Sequence, residues 1–354
     1  MKIGLVRRGW SRTGGAEAYL RRFAETAVAA GHEVILFAEQ WPREAWPWAH
    51  VQVHSRSPVQ FAAGLHALRP RERCDFLFSL ERIFSCDAYR AGDGVHAEWL
   101  ARRAEFEPFW KPWLRRFSGK HKQTLALERH LFAEKGAEFV IANSRMVAEE
   151  IQRHFAYPAD QIAVVYNGVP AFAPPPGARE ITRRDLGMRD DQLALLFVGS
   201  GWERKGLRFA IEAVNALPKS ARLFVIGRGS SRGLPRSRRT RFLGAMQDVS
   251  RFLAAVDAFI LPTIYEPFSN ACLEALAAGL PVITTRHNGF SEIIAPGADG
   301  ESIDDPRDIA ALTAAIERWR DPARREASRA RLQALGAKFS LAENVRQTLA
   351  LIAR

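Results

Sequence analysis

Residues 258–284 read AFILPTIYEPFSNACLEALAAGLPVIT. The short apolar run Ala258 to Leu261 reads as a buried strand, Ser269 to Ala278 as a helix, and Pro281 to Thr284 as a second strand. Short apolar strands joined by helices are the unit of a parallel sheet covered on both faces. The same alternation recurs upstream, with a strand at Leu193 to Val198, a helix at Leu207 to Leu217 and a strand at Arg222 to Ile226. It also fills the first half: strand Lys2 to Val6, helix Ala16 to Ala30, then strands at His32 to Ala38, Cys74 to Leu80 and Phe139 to Asn143. The fold class is therefore α/β, in two units joined near Tyr166-Asn167-Gly168-Val169-Pro170, with Pro174-Pro175-Pro176-Gly177 as a linker. From about Arg307 the tail reads as helical, with a break at Asp321-Pro322. Ligands of such sheets sit beyond the carboxyl ends of the strands.

The chain has 354 residues, enough for two domains, and its 47% hydrophobic and 25% charged content is that of a globular protein. The apolar run Ile3 to Val6 ends at Arg7-Arg8, too short for a signal-peptide core or a membrane span. A cytoplasmic protein, or one bound to a membrane only from the side, is expected. Cys74, Cys86 and Cys272 have neither metal-site spacing nor the density of a disulfide scaffold, and read as buried thiols. The net charge of +12 comes from 43 Arg and 8 Lys against 39 acids. Such a surface attracts nucleic acid, anionic lipid or phosphorylated glycan alike, and charge alone does not choose among them.

In the opening stretch the helix begins where the chain leaves a strand, so the amides around Phe268, Ser269, Asn270 and Ala271 point above the sheet. Free amides and the helix dipole form an anion site suited to a diphosphate. Glu266 and Glu274 flank it, placed to accept hydroxyls of a sugar and a ribose; the plainer alternative makes both ordinary helix acids. Arg204 and Lys205 follow another strand and suit a diphosphate equally well, or form a solvated turn. Gly14-Gly15 lies between strand and helix, where backbone can approach a phosphate, although a plain tight turn fits as well. Asp93 and His96 share a short glycine-containing loop and form a candidate acid–base cluster. No Asp-x-Asp triplet occurs, so no metal is expected.

Glu-Pro-Phe, seven residues between two glutamates, and Glu-Ala-x-Ala-x-Gly-x-Pro-Val resemble the signature of family 4 retaining glycosyltransferases. Phe242-Leu243-Gly244, Asp248, Asp257 and Leu261-Pro262 fall at that family's spacing, Tyr166 to Val169 resembles its interdomain junction, and Gly199 to Gly206 its diphosphate loop. The resemblance implies the GT-B fold, two Rossmann-like domains facing across a cleft. Residues 1–168 would form the acceptor side and 169–335 the nucleotide-sugar side, with 336–354 a C-terminal helix packing back on the first. It further implies a hexosyltransferase that needs neither cofactor nor metal, taking a donor such as UDP-glucose. Glu266 would contact the sugar hydroxyls, Glu274 hold the ribose, Arg204 and Lys205 neutralise the diphosphate, and Gly14-Gly15 face the nucleotide. Asp93 matches an aspartate of the lipopolysaccharide core glucosyltransferase I subgroup, ahead of His96 on the acceptor side. With Lys205 and Glu266 it completes the expected catalytic set. The run Arg228 to Arg241 departs from the family, because a helix usual there is missing.

Residues 99–130 hold eight basic side chains against three acids, interleaved with Trp99, Trp110, Trp113, Phe106, Phe109 and Phe117. That mixture suits an anionic membrane surface, nucleic acid, or a helix with a charged outer face. The expected partners are a nucleotide-sugar donor, a lipid-linked glycan acceptor and the inner leaflet, with no nucleic acid. A nucleotide-sugar epimerase and a basic nucleic-acid-binding protein remain the alternatives.

Overall fold

The structure, a computed structural model, describes residues 1–10, 15–115 and 118–353. It divides into two units, Met1–Tyr166 with Leu341–Arg354, and Asn167–Ser340. The break falls at Tyr166, so Pro174 to Gly177 lies inside the second unit rather than between the two.

The first unit holds seven strands: β1 (Lys2–Val6), β2 (Glu33–Ala38), β3 (Ala49–Gln52), β4 (Phe76–Ser79), β5 (Cys86–Ala91), β6 (Ala137–Ala142) and β7 (Ile162–Val164). All pair in parallel, in the order β3-β2-β1-β4-β5-β6-β7. The connecting helices are α1 (Gly15–Ala29), α2 (Pro58–Ala67), α3 (His96–Ala104), α4 (Trp110–Arg115), α5 (Gly119–Glu128) and α6 (Arg145–Phe155). Successive strand residues point to opposite faces. Leu36 accordingly packs with Ile3, Leu5 and Phe23, while its neighbour Phe37 packs with Val6, Leu77 and Val140. Burial on both faces is what the unbroken apolar strand runs require.

The second unit repeats the plan with β8 (Leu193–Val198), β9 (Ala221–Ile226), β10 (Thr240–Gly244), β11 (Ala258–Leu261), β12 (Val282–Thr285) and β13 (Gly300–Ile303). Their order is β10-β9-β8-β11-β12-β13, again all parallel. Its helices are α7 (Ala178–Asp185), α8 (Leu207–Ala216), α9 (Ser250–Ala255), α10 (Asn270–Ala277), α11 (Ile309–Arg318) and α12 (Pro322–Ala337). Asp321 caps α12 with Pro322 at its first position, which accounts for the break in the tail. Residues 227–239 pass from β9 to β10 in turns alone, where a crossover helix would ordinarily lie. The last helix, α13 (Leu341–Ile352), packs on α1, with Tyr19 Oη donating to Thr348 Oγ1 at 3.2 Å. Among the described residues no helix is long and apolar enough to cross a membrane.

Candidate functional site

In the second sheet the strand order reverses between β8 and β11, and the loops leaving both strands converge there. Gly206 closes the loop after β8 with φ +71°, and a Cβ at that position would lie 1.8 Å from the Pro262 carbonyl oxygen. Only glycine lets the two loops touch. Thr263 Oγ1 and the Ile264 amide both donate to the Arg204 carbonyl, at 2.8 and 2.9 Å. Thr285 Oγ1 donates in turn to the Thr263 carbonyl at 2.7 Å. The backbone of the basic pair is thereby fixed to β11 and β12.

Lys205 Nζ lies 2.8 Å from Glu266 Oε2, and the Arg204 guanidinium 3.4 Å from the same oxygen. Burial works against the ionised form of Glu266, yet Lys205 and then Arg204 outweigh it and hold the carboxyl below its usual range. The Glu266 amide donates to the His287 carbonyl at 2.8 Å, and the Gly289 amide to the Glu266 carbonyl at 3.0 Å. Two cations on one carboxylate leave an excess of positive charge.

The start of α10 adjoins this cluster in sequence. Ser269 caps it, its hydroxyl accepting from the Cys272 amide at 3.2 Å. Buried Asn288 secures the cap: its Oδ1 accepts from the Ser269 and Phe290 amides, and its Nδ2 donates to Thr284 Oγ1. Sequence reasoning passed over Asn288, since an asparagine in a loop signals nothing without its distant partners. The Phe268 and Ser269 side chains are buried, the former against the Phe290 ring at 6.1 Å, so they position the backbone. Asn270 is exposed, and its Oδ1 accepts from Asn167 Nδ2 at 2.8 Å. Glu274, one turn along α10, has no side-chain partner among the described residues, and burial pushes its carboxyl up to about 7.

In the first unit Gly14 lies outside the described residues, and Gly15 opens α1. A pocket of about 390 Å³ is lined by Arg7, Arg8, Trp10, Glu81, Arg82 and Asp93, among others, at the carboxyl ends of β1, β4 and β5. Arg7 pairs with Glu17 at 3.1 Å and Glu81 at 2.9 Å. Arg82 pairs with fully buried Glu128 at 3.0 Å, donates to the Gly94 carbonyl at 2.8 Å, and lies 3.9 Å from exposed Asp93. Glu128 also accepts from the His96 and Ala97 amides, tying α5 to the start of α3. His96 does not line this pocket: its Nε2 meets His121 Nδ1 at 2.9 Å. Burial, then the charge of Arg82, pushes it down to about 4, so the ring is neutral at pH 7. Asp93 lies on the pocket side of Arg82, whereas the His96 ring is turned to His121. Arg7, Glu81, Arg82 and Glu128 were missed because only the fold brings them together.

Within residues 99–130, Arg102 and Arg103 are held by Glu98 and Glu107 at 2.8 and 2.9 Å. Phe109 is 92% exposed, Trp113 59% and Trp110 48%. Arg116 and Phe117 lie outside the described residues.

Residues 13–171 match the family described as Glycosyltransferase Family 4, and residues 192–321 that described as Glycosyl transferases group 1. A probable transglycosylase of Burkholderia thailandensis is 31% identical over 100% of this chain and 97% of its own. The lipopolysaccharide glucosyltransferase WaaG of Escherichia coli K12 is 28% identical over 83% of this chain and 82% of its own. A crystal structure of WaaG superposes with a TM-score of 0.82 at 24% identity, covering 99% of each chain. HepE of Anabaena, solved with UDP-glucose, superposes at 0.74 with 17% identity, covering 100% of this chain and 99% of its own. Two doubly wound parallel sheets that superpose in this way are the GT-B fold, and the class of protein is that of the glycosyltransferases whose family models match. The chain belongs to family 4 of these enzymes.

Proposed function

We propose that this enzyme transfers a hexose, with retention of configuration, from a nucleotide diphosphate sugar such as UDP-glucose to a glycan, the lipopolysaccharide core or another cell-surface glycolipid. The observation that carries this is the pairing of Lys205 and Arg204 with Glu266 at the second sheet's switch point. A diphosphate gains charge as it leaves, and fixed cations stabilise that charge without a metal or cofactor. The Asn270 and Ala271 amides at the start of α10 add to them, Glu266 orients the sugar hydroxyls, and Glu274 holds the ribose. The anomeric C–O bond to the diphosphate breaks as the acceptor hydroxyl attacks from the same face, and the departing diphosphate takes the hydroxyl proton. Asp93, backed by Arg82, orients the acceptor; His96, neutral and engaged with His121, supports the fold there. The named activity of WaaG and the UDP-glucose held by HepE support this choice of acceptor and donor. Residues 99–130, with Phe109, Trp110 and Trp113 outermost, attach the enzyme to the anionic inner leaflet from the cytoplasm.

The test is hydrolysis of a panel of nucleotide sugars, with and without lipopolysaccharide core acceptor, in excess chelator, with the product anomer read by proton NMR. Turnover of one donor, raised by the acceptor and giving the donor's own anomer, is expected. No turnover of any donor overturns the reading, an inverted product overturns retention, and loss of activity on chelation overturns the metal-free chemistry.

A further inference from the structure

Three of the chain's nine tryptophans fall within eight residues, Trp41, Trp46 and Trp48, and the transfer reaction uses none of them. They lie between β2 and the edge strand β3: Trp41 follows the carboxyl end of β2, and Trp46 and Trp48 precede the amino end of β3, which runs parallel to it. Trp46 meets both others edge-on, with ring centroids 5.9 Å from Trp41 and 4.8 Å from Trp48. With Pro42, Pro47 and His50 the three rings line a cavity of about 400 Å³, within the range of ~300–1,000 Å³ typical of small-ligand sites. Trp46 Nε1 donates to the Ala49 carbonyl at 3.1 Å. Trp41 is only 8% exposed, and its indole N–H has no acceptor among the described residues. A buried donor left unmet is costly, and native folds keep few of them.

Indole faces suit the apolar C–H face of a pyranose, and an indole N–H suits a hydroxyl oxygen. Among the described residues the lining carries no acid and no Arg or Lys side chain, which favours a neutral sugar over a phosphorylated one. Its place in the fold also fits. The Glu39 amide donates to the Arg8 carbonyl at 2.9 Å, the Arg8 guanidinium lies 3.8 Å from the Glu39 carboxylate, and Arg8 itself lines the Asp93 pocket. The groove and that pocket therefore flank the same stretch of chain.

We propose that this tryptophan groove is a second carbohydrate subsite, holding a neutral pyranose of the acceptor glycan away from the hydroxyl that is glycosylated. It rests on the glycan-acceptor reading above. A proline-rich peptide is the other occupant that aromatic grooves take, and the link through Arg8 favours the glycan.

The test uses the full chain labelled with 5-fluorotryptophan, its fluorine resonances assigned with Trp41→Phe, Trp46→Phe and Trp48→Phe. Maltotriose and a delipidated core oligosaccharide should each shift the Trp41 and Trp48 signals, and glycerol at matched concentration should not. Trp41→Phe keeps a ring and removes the N–H; it and Trp48→Ala should raise the acceptor KM about five- to tenfold, with kcat and donor hydrolysis unchanged. Unmoved signals with both sugars, an equal response to glycerol, or a shift only with a polyproline peptide would each overturn the subsite. The NMR measurement needs no turnover, so it decides the groove even if donor hydrolysis fails and the transferase reading falls with it.

Discussion

The two sheets reverse strand order at the same place, between β1 and β4 in one unit and between β8 and β11 in the other, yet the charges gathered there differ. In the second unit Lys205 and Arg204 share the single carboxylate of Glu266, which leaves a positive excess beside the start of α10. In the first unit Arg7 is matched by Glu17 and Glu81, and Arg82 by Glu128 and Asp93, so carboxylates outnumber guanidiniums. Burial even raises the Glu81 carboxyl above its usual range, which an excess of cations would have prevented. Strand order decides where a site forms, and the loops decide what it binds. A surplus of cations suits a diphosphate, whereas a balanced network of donors and acceptors suits hydroxyl groups.

The largest expected effect falls on the balanced site. Arg82→Ala strands the buried Glu128 carboxylate, and breaking such a pair costs about 3–5 kcal/mol of stability, read by urea denaturation. A loss below about 1 kcal/mol, the worth of an exposed pair, would mean that water already screens the first site and that the contrast between the units is overstated. In the second unit, Lys205→Ala leaves Arg204 to hold Glu266 and should cut kcat about 10²–10³-fold, the size seen on losing one stabilising donor of transition-state charge. A raised KM with normal kcat would make Lys205 a contributor to uniform binding instead.

The second unit's site was far more legible in the sequence than the first's. Leu193–Val198 and Ala258–Leu261 are continuous apolar runs whose ends mark the loops carrying Arg204, Lys205, Glu266 and Glu274, although it was the family resemblance that chose these residues over ordinary surface charges. The strands that went unread are polar, short or at an edge: β3 is Ala-His-Val-Gln, β5 carries Asp87 and Arg90, and β7, β10 and β13 lie at a sheet edge. The first unit's pocket is assembled from contacts across long separations, such as Arg82 with Glu128 and Arg7 with Glu81. No local periodicity records such pairs. Asp93 and His96, read together from closeness in sequence, also depend on distant residues: Arg82 lies beside Asp93, and His121 meets the His96 ring.

A third difference is testable at the surface. The first unit carries exposed Phe109, Trp110 and Trp113 near the exposed Lys111, Lys120 and Lys122, and each basic residue near an anionic bilayer is worth about 1 kcal/mol. Replacing the three lysines by glutamate should therefore lower partitioning onto anionic vesicles by about 100-fold or more, with neutral vesicles bound weakly by both proteins. Salt should weaken the wild-type binding, because exposed charges are screened over roughly 10 Å at 0.1 M. Equal recovery of the variant on anionic vesicles would return this segment to ordinary packing.

The smallest expected effect concerns Glu274 and separates the two glutamates of the second unit by pH. Its carboxyl titrates near 7 because it is buried without a partner, whereas Glu266, on the same loop and helix, is held ionised by Lys205 and Arg204. If ribose hydroxyls donate to Glu274, the ionised form is the better acceptor, so donor binding must lower its pKa. Affinity for an intact nucleotide sugar should then rise with pH, by up to about tenfold between pH 6 and 8, the change in ionised fraction across a pKa near 7. An intact nucleotide sugar is the right probe, because its diphosphate diester does not titrate in that window, whereas free nucleoside diphosphate does. Glu274→Gln should flatten the profile while keeping a hydrogen-bonding side chain of the same shape, and Glu266 should contribute nothing above pH 6. Calorimetric titration across the range decides it: a flat wild-type profile, or a slope that survives in Glu274→Gln, would remove Glu274 from the ribose and leave the diphosphate contacts to carry donor affinity alone.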